Sequence, residues 1–244
     1  MARIIQTGWV SDKVLFAVAV YCVEDSALSQ RSFLARMWGG FVSSFRRNRT
    51  TISATTLAFF GVLFVSIIVT VFAFSYSPDL LGLLESFSEQ EGRFIAVPPP
   101  YTGTLYFYIL TNNIGAFWNP IRLVVWVPLL GTLVLGLSLL LNGALIGVVA
   151  TLVGIQRGAA YPILGLVPHG IFEIPAFILE FASIIRWHVT AVEAILAKVT
   201  GEKVNMTKFK LGLKDTIVLA VVSLLLFVIA AFIETYVTPR LLGL

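Results

Sequence analysis

His169 and Glu173 stand four residues apart in the run Pro168-His169-Gly170-Ile171-Phe172-Glu173-Ile174-Pro175-Ala176, and Glu180 follows seven residues after Glu173. On a helix these three positions share one face. Imidazole titrates near neutral pH, and a carboxyl group withdrawn from water is driven toward its neutral form. A His–Glu pair at this spacing can therefore hold a proton and relay it. The same groups are metal ligands, but two are too few, and Glu234, Asn142 or Glu180 would have to complete the shell. They can equally serve as glue between helices, hydrogen-bonded to Asn142 or Asn113 across a bundle. Pro168 and Pro175 lie around the pair, and a kink or unwound turn there would free backbone carbonyls close by. No Walker-type loop, nucleophile elbow, H-E-x-x-H or paired-aspartate motif accompanies these residues.

The surroundings make these groups expensive. Of the 244 residues, 58% are hydrophobic and only 12% charged, with a mean hydropathy of +0.92, whereas soluble domains carry about 25% charge. That balance excludes a soluble globular enzyme, a disordered tail and a disulfide-stapled secreted domain, and it indicates an all-α polytopic membrane protein. An ionisable residue inside a membrane span is a functional candidate by default. Cys22, the single cysteine, can make no internal disulfide, and a thiolate-rich metal or iron–sulfur site is excluded. The 17 basic residues against 13 acidic ones give a net charge of +4, which in such a chain concerns topology and lipid contact. With no basic run interleaved with aromatics and no binding module, no nucleic-acid partner is expected. No cofactor and no bound metal are assigned.

Four apolar blocks must position the polar groups. Thr51 to Ser75 is uncharged over 25 residues and Val124 to Ile155 over 32, against a bilayer core of about 30 Å that about 20 helical residues cross. Tyr161 to Ile185 carries His169, Glu173 and Glu180, and Thr216 to Thr238 carries Glu234. A shorter apolar segment, Leu105 to Trp118, holds Asn112 and Asn113. Its aromatic residues fit an interfacial belt. Adjacent amides point different ways on a helix, so one is expected to cap a break and the other to meet a neighbour. Glu234, about one turn from the end of its block, fits the outer interface as well as a buried position.

Residues 1–50 hold seven basic and three acidic residues, 76–104 hold one and four, and 186–215 hold six and three. The positive-inside rule then places the N-terminus and 186–215 in the cytoplasm and 76–104, with its stiff Pro98-Pro99-Pro100, outside. Passing from 104 to 186 takes an odd number of crossings, and three are expected, within 105–141, 144–156 and 161–185. Asn142-Gly143 is turn-prone and would break the long block. Trp118-Asn119-Pro120 interrupts helix before Arg122. The expected architecture is a helical bundle of about five spans, with broken or half-helices in the middle and the C-terminus outside. Residues 51–240 form its transmembrane domain.

The cytoplasmic segment 1–50 contains a different kind of helix. Between Ser26 and Arg49, Leu28, Leu34, Trp38, Phe41 and Phe45 recur at helical spacing, while Arg31, Arg36, Arg46, Arg47 and Arg49 fall largely elsewhere. This describes an N-terminal amphipathic interfacial helix whose arginines meet membrane lipids, anionic ones giving the stronger contact. Positive-inside bias alone would also put basic residues here. Val14 to Val23 has the length of a signal-peptide core, but Glu24 and Asp25 occupy the place of a cleavage site, so no cleavage is expected. The Gly143-x-x-x-Gly147 spacing permits close helix approach but is common by chance in a segment this rich in glycine.

The run P-H-G-x-x-E-x-P-A at Pro168–Ala176 resembles the signature of the stage II sporulation protein M family of integral membrane proteins. Asn112-Asn113 ahead of a Gly-rich span, Asn142-Gly143 within it, and Ala231-Phe232-Ile233-Glu234 before Thr238-Pro239 agree in order, so the resemblance covers roughly 105–240. The family's founding members belong to a machine for membrane migration and cell-wall remodelling during engulfment, while many relatives occur in organisms that make no spores. The resemblance supplies no catalytic residues; it implies that His169, Glu173, Asn113, Asn142 and Glu234 act as a set. The resulting expectation is a non-enzymatic scaffold or component of a membrane-remodelling assembly, as a homo-oligomer or with other membrane proteins. The alternative is a small proton- or ion-coupled transporter or channel-like module using the His/Glu pair. An intramembrane metallohydrolase ranks third.

Overall fold

In a bilayer an apolar run has no water to satisfy its amides, so it must satisfy them along its own axis, as helix. The computed structural model describes residues 38–77, 97–115 and 122–244, with positions 35 and 82, and all regular structure among the described residues is helical. The chain divides into two compact units, 1–46 and 47–244. In the first, residues 38–46 are helical, and Trp38, Phe41 and Phe45 form a file of rings with centroid spacings of 5.6 and 4.8 Å. Trp38 is exposed, as an interfacial helix requires. Arg31, Arg36, Leu28, Leu34 and Cys22 lie outside the described residues.

The second unit holds helices α1 (Arg49–Tyr76), α2 (Gly103–Asn113), a 3-10 turn (Arg122–Trp126), α3 (Leu130–Arg157), α4 (Ala160–Val199), α5 (Met206–Tyr236) and the short α6 (Thr238–Leu242). Four stretches are long and apolar enough to cross a membrane: α1, α3, α4 and α5 continued into α6. Between α1 and α3 the described residues form α2 and the 3-10 turn. Thr102 starts α2 by accepting the Leu105 amide at 3.2 Å while its hydroxyl donates to Pro99 at 2.7 Å. Leu105 and Ile109 then pack on Ala231 of α5. Helix stops at Asn113, and the chain reappears as the 3-10 turn, where Val125 packs against Leu135 of α3 and Ile184 of α4. The interruption expected at Trp118-Asn119-Pro120 lies outside the described residues.

The expected break at Asn142-Gly143 is absent: α3 is continuous over 28 residues. The Asn142 amide donates to the Ser138 carbonyl at 2.8 Å, so its turn-forming capacity is absorbed by its own helix. Gly143 and Gly147 face α1, where an added Cβ would approach the Phe59 carbonyl to 3.0 Å and the Leu63 carbonyl to 2.6 Å respectively. These glycines are needed for close approach of two helices. The described elements accordingly run over 103–113, 122–126, 130–157 and 160–199, whereas the expected crossings are 105–141, 144–156 and 161–185. Nor is α4 unwound at Pro168 or Pro175. Each proline costs one hydrogen bond, and α5 lies along α4, with Ser223 donating to the Ala176 carbonyl at 2.7 Å.

The ends of the bundle are tied separately. At one end Trp187 Nε1 donates to the Trp126 carbonyl at 2.9 Å, and His188 Nε2 lies 2.6 Å from the Val125 carbonyl. With Nε2 donating, His188 Nδ1 accepts the Thr132 hydroxyl at 2.8 Å. At the other end the Tyr101 hydroxyl donates to the Leu244 carbonyl at 2.7 Å, and Leu242 reaches Gly165.

Candidate functional site: a polar cavity and a His–Glu–Glu cluster

A cavity opens beside the C-terminal end of α2. It has a volume of about 450 Å³ and is bordered by α1, α2, the 3-10 turn, α3, α4 and α5. Phe59, Val125, Leu135, Phe177 and Phe227 supply apolar wall, and Asn112, Asn113, Ser138, Asn142, Glu173 and Glu180 supply the polar atoms. Five of the seven polar residues singled out from the sequence thus meet at one cavity. Glu173 and Glu180 arrive from one face of α4, two turns apart, and Asn142 comes from the uninterrupted α3. Both Asn112 and Asn113 border the space. The helix ends at the second amide, and the Asn113 side chain interacts with Glu173 of α4.

His169 stands just beyond the cavity wall, 8% exposed, with Nε2 3.6 Å from a Glu173 carboxylate oxygen. Glu234 joins them from α5: one ligand atom from each of His169, Glu173 and Glu234 lies within 4.8 Å of the others. Glu234 is therefore turned inward, toward the pair, and extends it to three ligand-bearing side chains. Among the described residues, neither Glu173 nor Glu234 forms an ion pair with lysine or arginine. On its other side His169 Nδ1 lies 3.4 Å from the Thr238 hydroxyl. The short α6 thus positions the histidine, a contribution that sequence reading did not assign, although Thr238-Pro239 was among its signals.

A second charged cluster escaped sequence reading. Asp215, fully buried, accepts Arg47 through Nε at 2.9 Å and Nη2 at 2.5 Å, and Arg186 Nε lies 3.7 Å away. Its hydrogen bonds push the Arg47 guanidinium above its already high ordinary pKa. Arg47 is thereby turned to a carboxylate, while Arg46 and Arg49 are exposed. All three lay in segments whose charges read as topology.

The stage II sporulation protein M family model matches residues 56–239. An uncharacterized protein of Methanocaldococcus jannaschii is 31% identical over 138 residues, covering 54% of this chain and 70% of the relative. No solved structure matches the chain. The matched region begins within α1 and ends in α6, taking in α2, the 3-10 turn, the polar cavity and the His169–Glu173–Glu234 cluster but not the basic segment before α1. On that match the chain is an integral membrane protein belonging to the stage II sporulation protein M family.

Proposed function

We propose that the protein is a non-enzymatic, ion- or proton-coupled transport module whose route passes through the polar cavity. One observation carries this reading: Glu173 borders a space of about 450 Å³ that Asn112, Asn113, Asn142 and Glu180 also line. Two carboxylates and three amides on three helices line one space within the bundle, the arrangement that intramembrane ion pathways use. A helix whose last two residues, Asn112 and Asn113, both line the cavity supports the same reading. Orientation follows from charge. The end that carries Arg47, Arg49, Arg186 and the lysines between 198 and 214 is cytoplasmic, and the end that carries Leu244 is extracytoplasmic. The exposed Arg46 and Arg49 meet anionic lipid headgroups there.

The test is flux in proteoliposomes. Wild-type protein is expected to dissipate an imposed cation or proton gradient, and Glu173→Gln, eluting as wild type on size exclusion, is expected to abolish that flux. Unchanged flux in Glu173→Gln, or none in wild type, overturns the proposal. If His169→Gln and Glu173→Gln instead lower oligomer stability together with no flux to lose, the protein is an assembly component.

A further inference from the structure

We infer that His169, Glu173 and Glu234 form a binding site for one divalent transition-metal cation of the Zn²⁺ class. This deepens the transport reading by naming the ion, and it rests on that reading only for what the ion does next.

The donor set comes first. One imidazole nitrogen and two carboxylates suit borderline divalent cations, whereas calcium takes six to eight oxygens and magnesium keeps a shell of water. Distance comes second. Ligand atoms about 2.1 Å from a tetrahedral metal lie about 3.4 Å from one another. His169 Nε2 and Glu173 Oε2 are already 3.6 Å apart. No distance within the trio exceeds 4.8 Å, so a carboxylate rotamer change closes the rest.

The histidine is also oriented for the task. With Nδ1 donating to the Thr238 hydroxyl, 3.4 Å away, the Nε2 lone pair is directed at Glu173. A ligand ring steadied through its second nitrogen is the usual outer support of a protein metal site. Charge gives an independent reason. Two carboxylates within 4.8 Å of each other, with no lysine or arginine paired to either among the described residues, repel strongly in a low dielectric. A dication beside a neutral imidazole brings the cluster to zero net charge. Access comes through Glu173, whose carboxylate belongs both to the trio and to the wall of the cavity.

The experiment titrates the full-length, metal-stripped protein in detergent with Co²⁺, read by its visible absorption, and with Zn²⁺, read by displacement of the cobalt band. One equivalent per chain is expected. Glu234→Gln and Glu173→Gln should each weaken binding at least about tenfold, and Thr238→Val about 10- to 100-fold as an outer-support loss. Thr238→Ser should restore the affinity, and the exposed Glu193→Gln should not change it. Absence of stoichiometric binding by wild type, or unchanged affinity in Glu234→Gln, overturns the site. Stoichiometric, Glu234-dependent binding without flux in proteoliposomes upholds the site and removes the transport reading. Proton flux in a protein that binds neither metal does the reverse.

Discussion

Asp215 holds Arg47 by two hydrogen bonds and keeps a second guanidinium, that of Arg186, within 3.7 Å, all at the end of α5 where the apolar run begins. Breaking a buried pair by removing one partner costs about 3–5 kcal/mol, and exposure of part of Arg47 reduces this to about 2 kcal/mol. Asp215→Asn should therefore lower the midpoint of thermal unfolding in detergent clearly. Arg47→Lys, which keeps the charge but loses the two-pronged geometry, should lie between it and wild type. A midpoint for Asp215→Asn equal to wild type would mean that the cluster contributes nothing to stability. The residue scale also shows which chemistry a sequence displays. His169, Glu173 and Glu234 stand out because each interrupts an apolar run. Asp215 and His188 are as deeply buried, but they adjoin lysines and arginines that serve topology, and no spacing rule separates a buried charge from its solvated neighbours.

At the scale of elements, length and apolar content located every long helix, because a bilayer leaves backbone amides no other partner. Interruptions were harder to place. Asn142-Gly143 has the composition of a turn, yet a neighbour one turn back accepts the amide and a facing helix needs the glycine. Both reasons lie outside the dipeptide. The contrast between glycines on α3 gives a direct test. A Cβ at Gly147 would collide with the Ser66 hydroxyl and come 2.6 Å from the Leu63 carbonyl, whereas at Gly136 nothing lies within 4 Å. Gly147→Ala should force α1 from α3 and cost about 1–3 kcal/mol, the usual range for overpacking. Gly136→Ala should be neutral or stabilising by up to about 1 kcal/mol, from helix propensity alone. Circular-dichroism melts of the two variants side by side decide the matter, and equal losses would remove the close α1–α3 contact from the account.

For the molecule as a whole, what matters is how the passage between α1 and α3 is counted. If α2 and the 3-10 turn were a hairpin that entered and left by the same face, four full crossings would return Leu244 to the side of the N-terminus. The ties at the ends say otherwise. Tyr101, just before α2, is bound to the Leu244 carbonyl, while Val125 and Trp126, in the 3-10 turn, are bound to His188 and Trp187 at the far end of α4. The chain therefore passes from one end of the bundle to the other between 103 and 126, and five passages separate Arg49 from Leu244. In a Cys22→Ser background, a membrane-impermeant maleimide applied to intact cells should label Ala159→Cys and Leu244→Cys alike. Lys203→Cys should label only after lysis. Ala159, Lys203 and Leu244 are all exposed, so the reagent can reach each of them from its own side. Labelling of Lys203→Cys alone in intact cells, with Ala159→Cys and Leu244→Cys both protected, would show that residues 103–126 do not cross, and the transport route through the cavity would fall with that result.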